Sequence, residues 1–254
     1  MPFTYNSGGK VTALSSDASI EFAFTAGAAS KVIVLSLVNT TNAAAKVTSG
    51  TPTYDGNAMT KCGSTQLSAE GGTEMWYYLS PVAETAKAVV IPNAATSQAI
   101  RYCCIDFTDA DYSASLFNSG GASDGSGADV ACTIAGVPDG AAVVSCMLHG
   151  EKDEFASISV GTTLLETPSI DEGSCQSGIA YSIQSGTADE THTYVSGGTT
   201  DDFNWVMGAW EEVSPPSDVT APAGAVTLAT VGPAPIKEIR VPLNIPIQEE
   251  TVYL

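Results

Sequence analysis

Cations are scarce in this chain. Its 254 residues carry 9 Lys and Arg against 28 Asp and Glu, a formal charge of −19. So negative a body repels phosphate backbones and anionic lipid, which argues against nucleic acid and membrane surfaces as partners. Histidine is rarer still, with His149 and His192 alone. The six cysteines, at 62, 103, 104, 132, 146 and 175, contain no CxxC pair, so the usual ligand pattern of a structural zinc site is missing. Long apolar runs are absent too. The longest, Val32 to Val38, is broken by Ser36 and is too short to span a bilayer. No stretch beyond about ten residues keeps a 3.6-residue period with caps, which removes long amphipathic helices from the reading.

What is present points to strands. Apolar residues make up 44% of the chain and charged ones only 15%, a balance unlike that of a disordered acidic tail. The length allows one large β domain or two small ones, either able to bury a core. Ile20, Phe22 and Phe24 alternate with Glu21 and Ala23, as on a strand with one buried face. Lys31 to Asn39 (KVIVLSLVN) reads as a central strand covered on both sides. Asp55-Gly56 sits where a hairpin should turn. Further strands are expected over Thr73–Ser80, Ala86–Ile91, Gln98–Phe107, Asp129–Ile134, Ala141–His149, Gly178–Gln184, His192–Val195 and Phe203–Val213. Cys103 and Cys104, adjacent on a strand, should face opposite ways, and free buried thiols are expected in preference to disulfides. Asn118–Gly127 (NSGGASDGSG) reads as a flexible loop joining the two halves of one sandwich. No internal repeat is evident. The fold expected is all-β: an antiparallel, jelly-roll-like β-sandwich over residues 1–213.

Residues 214–254 differ in character, with 7 of the 13 prolines in 41 residues. Within Val241-Pro242-Leu243-Asn244-Ile245-Pro246-Ile247 the apolar Val241, Leu243, Ile245 and Ile247 share one side, and the prolines allow full pairing on one edge only. Ordering ten such residues costs roughly 10–20 kcal/mol of backbone entropy. Burying the four apolar side chains returns about 6–12 kcal/mol. The segment therefore needs a second surface to dock on. It is expected to be an extended C-terminal arm, able to reach on the order of 135 Å, that grips a neighbouring subunit by strand addition.

Chemistry-bearing patterns are thin. Gly121-Ala122-Ser123-Asp124-Gly125 matches GxSxG, but it lacks the strand and helix that a nucleophile elbow requires. Asp106, Asp109 and Asp111 form DxxDxD, a weak calcium candidate without EF-hand spacing. The acidic pairs at 153/154, 171/172, 189/190 and 201/202 recur between expected strands and read as loop tips facing water. Trp76 and Tyr78 alternate to one side of their strand, with Met75, Tyr77 and Leu79 on the other. One set is core, and Trp76 with Tyr78 could present a glycan-facing aromatic platform. Neither catalytic residues nor cofactors are expected.

Several of these segments resemble a known module. Tyr54-Asp-Gly-Asn-Ala-Met-Thr60, then Glu74-Met-Trp-Tyr-Tyr-Leu-Ser-Pro81, then a strand ending Cys104-Ile-Asp-Phe-Thr-Asp-Ala-Asp111, are similar to the β-sandwich domains of tailed-phage virion proteins and some bacterial surface proteins. Phe203–Val213 fits the last strand of that pattern, so the resemblance spans about residues 19–213. It implies a structural role in a virion and brings no catalytic residues. A bacteriophage capsid decoration (cement) protein on the outer surface is the leading expectation. It would be synthesised in the host cytoplasm without a signal peptide, since Met1-Pro2-Phe3-Thr4-Tyr5 shows neither basic nor apolar signal regions. Its partners would be its own copies and the major capsid protein or neighbouring virion subunits. A tail or fibre protein contacting host glycans, and a surface carbohydrate-binding module or filament subunit, are the alternatives.

Overall fold

A computed structural model describes residues 2–6, 10–39, 47–67, 71–94, 99–109, 113–127, 129–149, 155–159, 162–166, 176–196, 201–213, 239–240 and 251–252. Every regular element among them is a strand, and all ladder pairings are antiparallel. The sandwich expected from alternation is present. It has four layers where two were anticipated.

The first half contributes β1 (Thr4–Tyr5), β2 (Val11–Ser15), β3 (Ser19–Phe24), β4 (Ser30–Asn39), β5 (Thr53–Tyr54), β6 (Asn57–Ala58), β7 (Thr60–Leu67), β8 (Gly71–Leu79), β9 (Lys87–Pro92) and β10 (Ile100–Thr108). One sheet runs β1-β10-β4-β8-β7 with β2 also on β10, and a second runs β3-β9-β5-β6. The turn between β5 and β6 places Asp55 at φ 51° and Gly56 at φ 76°, both in the left-handed region that this hairpin needs.

The second half contributes β11 (Ser113–Gly127), β12 (Asp129–Val137), β13 (Ala142–His149), β14 (Phe155–Ile158), β15 (Thr163–Glu166), β16 (Gln176–Ile183), β17 (Ala188–Ser196) and β18 (Asp201–Val213). Its sheets run β11-β18-β13-β16-β15 and β12-β17-β14. Set beside the first half, the orders coincide. β2-β10-β4-β8-β7 corresponds to β11-β18-β13-β16-β15, and β3-β9-β5 corresponds to β12-β17-β14. Eight strands of the first half, β2–β5 and β7–β10, and the eight of the second thus follow one jelly-roll order, and the chain holds the same topology twice. No repeat was expected, because the equivalent residues differ in type.

Three cores separate the four layers. Ile33, Leu35, Leu37, Trp76, Tyr102 and Cys104 pack against Ile20, Phe24, Tyr54, Val89 and Ile91 between the two sheets of the first half. Val143, Met147, Trp205 and Met207 meet Val130, Cys132, Ile134 and Tyr194 between the sheets of the second. The third core joins the halves, with Val32, Val34, Met75, Cys103 and Phe107 against Val144, Cys146, Ile179, Val206 and Trp210. This explains the burial of β4 on both faces and the opposite directions of Cys103 and Cys104. It also corrects the reading of β8: both of its faces are core.

Asn118–Gly127, expected as a flexible loop, lies within the fifteen-residue strand β11, laddered to β18. Its glycines answer a packing demand. A Cβ on Gly121 would stand 2.9 Å from both Thr65 Cγ2 and the Trp205 carbonyl oxygen. One on Gly63 would stand 2.9 Å from Val206 Cγ1, so the joint between the halves closes only over bare backbone.

Five thiols, Cys62, Cys103, Cys104, Cys132 and Cys146, are free and buried, while Cys175 lies outside the described residues. Burial pushes the Cys62 thiol up to about 12 and raises those of Cys104, Cys132 and Cys146 too, which leaves them unreactive at neutral pH.

Contacts divide the chain into Met1–Pro215 and Pro216–Leu254. In the second unit Ile239–Arg240 pairs with Thr251–Val252. Val241, Leu243, Ile245 and Ile247, the residues expected to grip a neighbour, lie between these strands and outside the described residues.

Candidate functional site

Alternation along β8 turns Glu74, Trp76 and Tyr78 to the same face, inside the first sandwich. Tyr78 is half-buried with its ring 5.2 Å from that of Tyr54. Trp76 is only 6% exposed. The two therefore form no open aromatic platform, because β9 and β5 cover that face.

Trp76 instead borders a cleft of about 290 Å³ with Thr48, Ser49, Gly50, Lys61, Ser64 and Glu74. At its base lies Glu74, 3% exposed. Its Oε2 accepts hydrogen bonds from Thr48 Oγ1 at 2.8 Å and from the Trp76 indole Nε1 at 3.0 Å. Its Oε1 faces Lys61 Nζ at 3.5 Å. The β7–β8 register sets Lys61 beside Trp76 and Ser64 beside Glu74. The Lys61 ammonium consequently rides over the indole, 4.6 Å from the ring centroid. Charge and partners justify the buried carboxylate: two neutral donors and one cation offset its desolvation.

The equivalent place in the second half is shut. Leu37 pairs with Glu74 as Met147 pairs with Gly178, and both Leu37 and Met147 face their own sandwich core. Aligned on these pairs, Gly178 takes the register position of Glu74, and a Cβ there would lie 2.5 Å from Cε1 of Tyr194. Around Tyr194 runs a buried polar network. Ser145 Oγ lies 2.7 Å from both His192 Nδ1 and Tyr194 Oη, and Ser182 Oγ lies 2.8 Å from His192 Nε2. Ser182 also donates to Glu190 Oε1 at 2.6 Å. Burial holds His192 below its ordinary value of 6.5, against the opposing pull of Glu190. Burial raises the Glu190 carboxyl, but the hydrogen bonds from His192 and Ser182 outweigh it and hold the group below 4.5. Ser145, His192 and Tyr194 are sealed between two sheets, where no substrate reaches them.

Two of the three acidic candidates, Asp106 and Asp109, lie among the described residues. Asp106 is fully buried at the end of β10, its Oδ1 accepting from Asn6 Nδ2 at 3.0 Å and its Oδ2 from the Gly27 N–H at 2.8 Å. Burial pushes its carboxyl up against the pull of these bonds. It works as a clasp between β10 and the turn before β4. Asp109 shares a hydrogen bond with Glu212, whose carboxyl is raised first by burial and then by that neighbour. Asp111 lies outside the described residues. Among the described residues no three His, Cys, Asp or Glu are grouped to hold a metal. Ser123 of GxSxG sits within β11 opposite Asn204, without the strand–turn–helix context of a nucleophile.

Sequence reasoning missed Glu74, Lys61 and Thr48. The available signal was a lone carboxylate inside the otherwise apolar and aromatic run EMWYYL. Among the described residues no helix is long and apolar enough to cross a membrane. No family model, curated protein or solved structure matches the chain.

Proposed function

We propose that the chain is a non-enzymatic structural protein of a bacteriophage particle, a decoration protein on the outer face of the capsid. The observation that carries this reading is the four-layer body. Two jelly rolls of one topology spend both faces of their inner sheets on packing, which yields a stiff block whose excess acid faces outward. A chain at −19 is kept off packaged nucleic acid and suits an outer surface. Residues 214–254 supply the tether: proline-rich and alternating, they gain order by adding to a neighbour's sheet edge. The partners are other copies of the chain and the shell subunits beneath.

The test is cosedimentation of the full chain, and of a chain ending at residue 213, with shells of the encoding phage stripped of this protein. The full chain is expected to bind saturably and raise the temperature at which shells rupture, and the shortened chain to stay in the supernatant. Failure of the full chain to bind overturns the proposal. Equal binding by both overturns the role of the arm.

A further inference from the structure

We infer that the cleft at Glu74 is a binding site for a single neutral sugar ring. Its walls alternate acceptor and donor: the Glu74 carboxylate, the Lys61 ammonium and the hydroxyls of Thr48, Ser49 and Ser64. Lys61 and Glu74 cancel in charge, so the site selects neither anion nor cation. The surrounding excess of carboxylates disfavours an anionic ligand further. A polyol, donating and accepting at every hydroxyl, matches such a lining. An ammonium ligand matches it poorly, because it would be held beside the like charge of the Lys61 ammonium.

Capacity remains at the base. A carboxylate offers about four lone-pair sites. Glu74 uses two on Oε2 and a loose 3.5 Å ion pair on Oε1. A ligand hydroxyl can therefore donate to Oε1 while Lys61, its side chain 41% exposed, shifts from the ring to donate to a neighbouring oxygen. That movement bares the indole for the C–H face of the sugar. The volume, about 290 Å³, lies at the small end of ligand pockets, roughly 300–1,000 Å³, and so fits one ring. The second half supplies an internal contrast. With Gly178 in place of Glu74, the Tyr194 ring lies against the bare backbone there. The site belongs to the side chains of the first half.

The experiment follows the three indole N–H signals of the isotope-labelled full chain while D-glucose, D-galactose and N-acetyl-D-glucosamine are each titrated to tens of millimolar. At least one sugar is expected to shift the Trp76 signal saturably and leave those of Trp205 and Trp210 in place. Glu74→Gln should weaken that binding about tenfold or more, the scale of a lost hydrogen bond to a charged group. Ser64→Phe, a change at an exposed wall that leaves Glu74 and its partners intact, should abolish it. The inference is overturned if no sugar moves the Trp76 signal, if Ser64→Phe binds as well as the parent, or if methylammonium moves that signal and the sugars do not.

Discussion

The two halves of this protein share a strand order and little else. In the first, Leu35 of β4 lies between Cys104 and Trp76, and the core it enters is hydrocarbon, thiol and indole. In the second, the equivalent column is Met207, Ser145 and Ala180, and Ser145 reaches a histidine and a tyrosine. Topology therefore follows from which positions face inward, whereas the chemistry of what is buried varies beneath it. The apolar half leaves a carboxylate at the base of a cleft. The polar half closes that place with Tyr194 and makes its core depend on protonation.

Exchanging the column residues is the strongest way to break the contrast. Leu35→Ala removes a fully buried side chain and is expected to cost about 2–5 kcal/mol by chemical denaturation. Its counterpart Ser145→Ala deletes no comparable volume but takes a 2.7 Å hydrogen-bond partner from both His192 and Tyr194, and should cost about 1–3 kcal/mol. Gly178→Ala drives a methyl into a ring that Ser145 fixes, so a loss of about 1–3 kcal/mol is expected, and the same change made in a Tyr194→Ala background should cost less. An equal cost in both backgrounds would place the clash elsewhere.

Protonation sharpens the comparison more gently. The folded pKa of His192 is depressed, so its neutral form contributes stability that is fully present above pH 6.5 and lost as pH falls toward the folded value. Glu190, also depressed, adds a loss as pH falls below 4.5. Asp106 acts in the opposite sense: its raised carboxyl favours the fold at pH below 3.8 and loses that contribution as pH rises. The midpoint of urea unfolding should therefore drop between pH 7 and pH 5, and His192→Asn should flatten that drop. The smallest effect is negative. Cys62, Cys103, Cys104, Cys132 and Cys146 should resist a thiol reagent at pH 7 in the native chain and react on unfolding.

Much of this architecture could be read from residue order. The run KVIVLSLVN announces a strand buried on both faces, Asp55-Gly56 its hairpin, and Cys103-Cys104 the two opposed cores. Strand β11 could not be read, because its Gly121 serves a close approach to β7 and β18 that only the folded joint creates. The doubled topology stayed hidden for a related reason. Pairs such as Glu74 and Gly178, Leu35 and Ser145, or Trp76 and Ala180 share a direction but no chemistry. The cleft was half visible. Trp76 drew notice as an aromatic, but its partners come from β7 and from residues 48–50, and only the β7–β8 register brings Lys61 to it.

Hydrogen exchange of the full chain at pH 7 and pH 5, corrected for the intrinsic pH dependence of exchange, tests the account most directly. Amides of β12 and β17, the sheet that His192 and Tyr194 anchor, should lose protection at pH 5, while those of β3 and β9 in the equivalent apolar sheet keep theirs. Equal loss in both outer sheets, or loss confined to β3 and β9, would contradict the claim that one topology here encloses two different cores.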